Sequence, residues 1–538
     1  MSVFSNQNTV VNLDKKSIGN SDTISRLMVY QGRFFKTNFA STINLNVMQT
    51  KMLGQSKAAF DFVSSPKRLL INNEWVNSVG GTTSETFNPT NEEKLCDVAM
   101  ANSQDVDIAV AAAKAAYENV WKDMNPHERA KYLYRIADLI EKNVDELAEI
   151  QTYDMGMILA HAKMMVAAQA DTFRYYAGWI TKVTGQTFPS EGSSFTYSLR
   201  EPLGVIGGII PWNGPFLAAS WKIAPAIAFG NTIVLKAGTE APLAPLRLGE
   251  LIVEAGLPAG VVNIISGSGS DAGQRLVDHP DVAKISFTGS TRIGQHLLRS
   301  SADTLKKITL ELGGKSPTII FADADMKKAV YGAVVGFVAG AGQGCVLGTR
   351  IFVQETVYEN VKNAIANAVS NLKIGSPFEA DTLVAPMAFK RHYDTVCSYL
   401  EIGKEQGANA ATGGEKLGGK GYFVKPTLFE NVTEEMRIYK EEIFGPVATI
   451  IPFKDEAEVI KMANNSEYGL AGSIWTSDLN TAHRVSSKVK SGILWVNTNL
   501  EMDVKAPFGG FKLSGIGTEH GYECIDAFTK TKTVVMRF

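Results

Sequence analysis

Apolar residues first recur in a structured pattern at Leu69-Leu70-Ile71, which together with Asn72-Asn73 and Glu74-Trp75 predicts a short strand closed by an Asn-Asn turn. Two amphipathic helices follow. In the first, Val106, Val110, Ala113 and Tyr117 recur at helical spacing; in the second, Asn125-Pro126 is a cap with proline at the first helical position, ahead of the stripe Leu133, Ile136, Ala137 and Ile140. From Gly204 the rhythm changes to apolar runs at 205–210, 232–236, 261–265, 284–287 and 307–310, with helical stretches between them. That alternation predicts a parallel, doubly wound α/β sheet, in which ligands bind just beyond the carboxyl ends of the strands. A second α/β region runs from 313 to about 521, with a strand at Arg350-Ile351-Phe352-Val353 and a helix over 357–372. β-type sequence outside both regions, at 185–200 and 531–536, fits edge strands or an oligomerisation arm.

Composition narrows the partners. A chain of 538 residues exceeds one ordinary core, so two large α/β lobes are expected. Lys and Arg number 53 against 55 Asp and Glu, a net charge of −2 that creates no global field for nucleic acid or a membrane surface. The partners left are small molecules and further copies of the chain. Cys96, Cys345, Cys397 and Cys524 are too scattered for a disulfide framework, which fits a reducing, cytoplasmic setting. No C-x-x-C pair occurs and the seven histidines are dispersed, so no metal site is expected. No apolar run approaches the roughly 20 residues that span a bilayer. The first sixty or so residues are rich in Asn and Ser and carry Lys15, Lys16, Arg26, Arg33, Lys36, Lys51 and Lys57 against Asp14 and Asp22. They half resemble a mitochondrial transit peptide; a disordered tail, or a start at Met48 or Met52, is the plainer reading.

The residues just after the strands carry the candidate chemistry. Pro211-Trp212-Asn213-Gly214-Pro215 holds an Asn amide between prolines, a fixed N–H donor for a developing oxyanion, though alone it is an ordinary turn. Phe287-Thr288-Gly289-Ser290-Thr291-Arg292-Ile293-Gly294 opens a helix where small residues admit a phosphate; a capped strand-to-helix turn reads equally well. Glu311 ends the fifth run before Leu312-Gly313-Gly314-Lys315, where burial would raise its pKa and fit it to take a proton from water; an ion-paired or capping Glu is the alternative. Cys345 sits in Gly340-Ala341-Gly342-Gln343-Gly344-Cys345-Val346-Leu347-Gly348, where glycines admit a substrate and leave the Cys345 N–H as a second oxyanion donor. The other three cysteines lack that setting and are read as packing residues. Glu441-Glu442-Ile443-Phe444-Gly445-Pro446 offers an acid for a ribose diol and an aromatic for a planar ring. Trp495-Val496-Asn497 and Pro507-Phe508-Gly509-Gly510 suit a pocket wall or a core edge.

In this order, the motifs resemble the aldehyde dehydrogenase superfamily from about Leu69 to the C-terminus, most specifically in Glu311-Leu312-Gly313-Gly314-Lys315 and in Gly342 to Cys345. The resemblance implies Cys345 as nucleophile, Glu311 as general base of thioester hydrolysis, Asn213 as oxyanion donor and Lys222 in proton relay. It further implies a dinucleotide, NAD or NADP with NAD favoured: Lys236 on the adenosine ribose, Trp212, Gly289 and Ser290 at the pyrophosphate, Glu442 and Phe444 at the nicotinamide riboside. An aldehyde pocket would be lined by Gly214, Trp221, Gly344, Val346 and Phe508, and the assembly would be a homodimer or homotetramer. The implied domains are an N-terminal extension over 1–65, a coenzyme-binding domain over 66–183 and 201–312, a catalytic α/β domain over 313–522, and a small β oligomerisation arm over 184–200 and 523–538.

The chain departs from the family pattern in three places. Thr239 stands three residues after the cofactor lysine, where the family often has Glu, with Glu240 one step later, so NADP use stays open. Thr518 replaces a usual Arg. Gly214 follows Asn213 where many relatives carry bulk, which would widen the pocket beside Trp221 for bulky or aromatic aldehydes. Two other readings are a CoA-acylating aldehyde dehydrogenase, which has no use for Glu311, and a non-catalytic binding or structural protein on the same fold. A thiol hydrolase fits worst, since no histidine sits in a partner motif for Cys345.

Overall fold

In this computed structural model residues 55–538 are described, so the expectations for the transit-like or disordered N-terminal segment over 1–54 lie outside the described residues. The expected boundary at 65 moves. Residues Lys57–Val63 form a helix, α1, with Ser56 Oγ accepting the Ala59 N–H as N-cap and with Ala59 and Val63 buried. The Ser56 N–H is also held by Glu149 Oε2 at 2.6 Å, so this turn is anchored to the body of the protein. A cavity of about 470 Å³ beside α1, lined in part by Phe62, Arg68, Trp75 and Arg247, contains none of the predicted site residues.

The first sheet contains β1 (Leu69–Ile71), β2 (Glu74–Val76), β3 (Val205–Ile209), β4 (Thr232–Ala237), β5 (Val262–Ser266), β6 (Val282–Thr288) and β7 (Lys307–Glu311). Their spatial order is β2-β1-β5-β4-β3-β6-β7, and β3 through β7 run parallel. The five predicted runs are these five strands. Asn72 and Asn73 close the β1–β2 hairpin with φ of 55° and 61°, left-handed values that Asn tolerates better than most residues. Alternation along β4 sends Ile233 and Leu235 into one core and Val234 into another. Helices α2 (Pro215–Ala228) and α3 (Leu243–Glu254) cover the first face, while the predicted Val106, Val110 and Ala113 cover the second. With both faces covered, β4 is buried at every position. Strand order reverses at β3, which is flanked by β4 and β6, so the crevice for a ligand opens at the carboxyl ends of β3 and β6.

The second sheet holds β8 (Pro317–Ile320), β9 (Arg350–Gln354), β10 (Asn409–Thr412), β11 (Thr427–Glu430), β12 (Val447–Phe453), β13 (Ala471–Trp475) and β14 (Ile493–Val496), in the order β10-β11-β12-β9-β8-β13-β14. Only β10 is antiparallel to its neighbour. Residues Gly515–Ile516, β15, pair antiparallel with β7 of the first sheet, Gly515 opposite Glu311. A Cβ at Gly515 would lie 2.2 Å from the Leu310 carbonyl oxygen, so only glycine fits that approach.

A separate antiparallel sheet joins Thr187–Phe188, Ser194–Pro202 and Thr529–Arg537. Part of the expected arm, 523–528, belongs instead to the main body: Cys524, Ile525 and Phe528 form a short helix buried in the first core. Among the described residues no helix is long and apolar enough to cross a membrane.

Candidate active site

Cys345 lies on the loop after the helix Met326–Val338, where Gly340 and Ala341 take left-handed φ of 58° and 56° and turn the chain sharply. The thiol packs with Val346 against Trp221, Leu470 and Phe508. Its pKa is pushed up to about 12, by burial first and then by Glu442 and Glu311, while the Cys345 and Val346 N–H groups favour the charged form. The same two donors are oriented to receive negative charge. Cys96 and Cys524 are buried packing residues as expected, whereas Cys397 is only half-buried.

Glu311 ends β7, and both its carboxylate oxygens are buried without a hydrogen-bond partner among the described residues. Burial and the Glu519 carboxylate hold its pKa well above the usual range, against the pull of Lys222. The loop after Phe508 passes close by, since a Cβ at Gly509 would be 3.6 Å from Glu311 Oε1. Gly314 joins the two motifs: a Cβ there would meet the Cys345 carbonyl oxygen at 2.3 Å.

Asn213, beyond β3, donates from Nδ2 to the Gln343 carbonyl at 2.9 Å. One amide hydrogen is thereby committed to the Cys345 loop and fixes the direction of the other. Gln343 is itself held, donating to the Gly340 carbonyl at 3.0 Å and accepting the Ala388 N–H at 2.8 Å. Lys222 on α2 is fully buried and paired with Glu519 Oε1 at 2.5 Å, with Ser286 Oγ at 3.2 Å.

The residues expected to bind a cofactor are placed as follows. Ser290 is the N-cap of the helix Thr291–Ser301, and among the described residues its side chain makes no capping bond. The Gly289 N–H donates to the Glu311 carbonyl at 3.0 Å. A Cβ at Gly289 would strike the Phe287 ring at 2.5 Å. Lys236 is buried at the end of β4, its ammonium on the Ala237 carbonyl at 2.9 Å and its pKa lowered to about 8 by desolvation, which Glu240 opposes. Thr239 Oγ1 donates to the Gly267 carbonyl at 3.2 Å, and Glu240 turns outward to Arg391 at 3.0 Å. Glu442 accepts the Gly314 N–H at 2.9 Å, and burial raises its carboxyl pKa to about 7. Trp212 meets Phe444 edge-on with ring centroids 5.5 Å apart. Phe444 has φ of 59°, and its carbonyl holds His392 Nε2 at 2.7 Å.

Of the residues expected to line an aldehyde pocket, Trp221 and Phe508 pack together with ring centroids 5.2 Å apart, and Val346 and Cys345 pack against them. A Cβ at Gly214 would meet only Met165 and Leu217, at 3.9 Å and 4.0 Å, so there is room for a side chain that is absent. Gly344 lies against Leu347 rather than open space. Trp495 sits at a core edge, its indole N–H on the Glu501 carbonyl. Among the described residues no cluster of His, Cys, Asp and Glu could hold a metal ion.

Sequence reading missed Glu519, Gln343, Lys315 and Arg350. Arg350 is buried and donates to the carbonyls of Lys315, Met462, Ala463 and Asn465 at 2.9–3.3 Å, tying the second sheet to the Glu311 motif. Lys315 holds the Glu441 carbonyl at 2.6 Å, and burial together with Arg350 lowers its pKa to about 7. Arg350 was visible only as a strand residue. Glu519 followed the departure at Thr518 but had no motif of its own.

Comparison with known proteins agrees with this arrangement. The sequence pattern of the aldehyde dehydrogenase family matches residues 75–534. The chain is 46% identical over 473 residues to an aldehyde dehydrogenase of Emericella nidulans, covering 88% of this chain and 95% of the relative. It is 44% identical over 475 residues to cytosolic aldehyde dehydrogenase 1 of Mus musculus, covering 87% and 95%. The structure of an aldehyde dehydrogenase from Bacillus cereus in complex with NAD+ superposes with a TM-score of 0.89 at 44% identity, covering 91% of this chain and all of the other. With its two sheets, its crevice and its cysteine and glutamate motifs in register, the chain belongs to the aldehyde dehydrogenase family.

Proposed function

We propose that the protein oxidises an aldehyde to the carboxylic acid with NAD+, using Cys345 as nucleophile and Glu311 as the base that activates water. The observation that carries this reading is a buried carboxylate with no hydrogen-bond partner among the described residues, together with a thiol packed against Trp221, Leu470 and Phe508 and an amide tied to the thiol's loop, in a family member. The crevice residues fit a dinucleotide. Lys236 would hold the adenosine ribose, Trp212 and Ser290 the pyrophosphate, and Glu442 with Phe444 the nicotinamide riboside. NAD+, when bound, supplies the hydride acceptor. The Cys345 thiol gives up its proton to water in the site, the thiolate sulfur attacks the carbonyl carbon, and the oxyanion is met by the Asn213 amide and the Cys345 N–H. Loss of hydride from that carbon leaves a thioester on Cys345. Glu311 then takes a proton from water, the hydroxyl adds to the thioester carbon, and the acid departs as the sulfur is freed.

The space at Gly214 supports bulky or aromatic aldehydes as substrates. Thr239 leaves no carboxylate at the position that would repel a 2′-phosphate, so NADP+ is accepted beside the favoured NAD+. The three-stranded arm exposes Phe195, Leu199, Val535 and Met536, which suits pairing with a second copy in a homodimer or homotetramer; the setting is cytoplasmic. A panel of aldehydes assayed with each cofactor tests the whole reading. Benzaldehyde-type substrates should outrun acetaldehyde, Cys345→Ala should abolish NADH formation, and product should form without CoA. A strict CoA requirement would favour the acylating alternative.

A further inference from the structure

We propose that Ser286 and Thr309 form a proton relay from Glu519, beside Glu311, to Lys284, which stores the proton released during thioester hydrolysis. The proposal rests on the reading that Glu311 activates water. Glu311 must lose the proton it gains before the next turnover, yet neither of its oxygens has a partner among the described residues. The Glu519 carboxylate is near enough to raise the Glu311 pKa, and from Glu519 a series of hydrogen bonds runs on through the sheet. Ser286 Oγ donates to Glu519 Oε1 at 3.4 Å, Thr309 Oγ1 donates to Ser286 Oγ at 3.2 Å, and Lys284 Nζ donates to Thr309 Oγ1 at 2.9 Å.

The direction of these bonds follows from the ends. An ammonium can only donate and a carboxylate can only accept, so the two hydroxyls between them are forced to point toward Glu519 when Lys284 is charged. With Lys284 as a free amine and Glu519 protonated, both reverse. The two arrangements differ by one proton shifted along the ladder. Lys284 is suited to both, because full burial lowers its pKa to about 7. The other titratable groups facing it are Lys222, Glu519, Lys307 and Cys524, and the Phe528 ring lies 5.1 Å from its nitrogen. Ser286, Thr309, Lys284, Lys222 and Glu519 are all buried, so bulk water does not short-circuit the path.

The step balances. A water O–H bond breaks, its oxygen bonds to the thioester carbon and its proton goes to Glu311, then to Glu519. Glu519 gives a proton to Ser286 as Ser286 gives its own to Thr309 and Thr309 to the Lys284 amine; no electrons are transferred. When the acid leaves, the proton returns along the same hydroxyls to water entering the site. Strand geometry explains the alignment: Ser286 and Thr309 are register partners on β6 and β7, as are Lys284 and Lys307.

Ser286→Ala tests this, because it removes the central hydroxyl; Lys222 loses its 3.2 Å bond to that hydroxyl but keeps its direct pair with Glu519. Thioester formation and decay are followed by quenched flow in a single turnover. Formation should keep its rate, while decay should slow about tenfold, a fraction of what a proton-transfer group contributes. The curved dependence of the decay rate on deuterium content should become linear, and Ser286→Thr should restore both. Lys284→Met, which ends the ladder at its other side, should slow decay in the same way. Wild-type decay with an unchanged deuterium dependence in Ser286→Ala would overturn the relay. Aldehyde-dependent NADH formation by Cys345→Ala in the same assay would instead overturn the underlying reading.

Discussion

Substituting alanine at Gly314 should damage catalysis through a single steric contact. The added Cβ would lie 2.3 Å from the Cys345 carbonyl oxygen and 3.4 Å from Leu470 Cβ, so the first contact falls about 1 Å short of ordinary separation. Neither side yields easily. Gly314 is pinned by its N–H on Glu442, and the opposing atom is backbone of the Cys345 loop, which Asn213 holds through Gln343. Overpacking of this kind costs about 1–3 kcal/mol of stability. Relief by moving the Cys345 loop about 1 Å costs turnover on the order of 100-fold, because attack depends on near-contact alignment. Gly418→Ala is the matched control, since nothing lies within 4 Å of its added Cβ. The assay is kcat/KM for a preferred aldehyde, with urea unfolding to separate collapse from misalignment. If Gly314→Ala turns over like Gly418→Ala, the close approach of the two motifs is not what positions the sulfur.

Other perturbations reach different parts of the site. Iodoacetamide should modify Cys345 of the cofactor-free protein about tenfold faster per pH unit between pH 7 and 10, since a raised thiol pKa makes the thiolate fraction grow throughout that range; a plateau below pH 8 by mass spectrometry would contradict it. Lys236 has its pKa lowered to about 8, so its ammonium is present below that pH and lost above it. NAD+ affinity measured by fluorescence titration should therefore weaken as pH rises past 8, and Lys236→Met should be weak at every pH. Thr239→Glu should cut the use of NADP+ relative to NAD+ about tenfold, the effect of one repulsive contact of about 1.4 kcal/mol, read from the ratio of kcat/KM values. Arg350→Met should lower unfolding free energy by about 3 kcal/mol in urea, because the carbonyls that the guanidinium serves lose a charged donor while buried.

Much of the fold was legible because its strands alternate with helices and are buried on both faces, which makes them continuous apolar runs. The position of the crevice followed from topology alone, since the motifs at Asn213 and Ser290 each follow a strand at the point where the order reverses. Contacts made across long stretches of sequence were not legible. Glu519 is paired with Lys222 from nearly three hundred residues away, and β15 crosses from the second region to lie against Glu311, with no local pattern announcing either. Helix α1 was missed because seven residues with only Ala59 and Val63 buried carry too little periodicity; its one signal was Ser56 as N-cap. The Gly289 N–H likewise has a long-range partner, the Glu311 carbonyl, that spacing could not reveal.

Intact-mass measurement of Glu311→Gln, quenched after mixing with an aldehyde and NAD+, tests the chemistry most directly. A sulfur nucleophile with a separate base for hydrolysis requires one equivalent of NADH and a protein heavier by one acyl group, mapped by peptide digestion to Cys345. Repeated turnover at the wild-type rate, with no adduct on that cysteine, would contradict it.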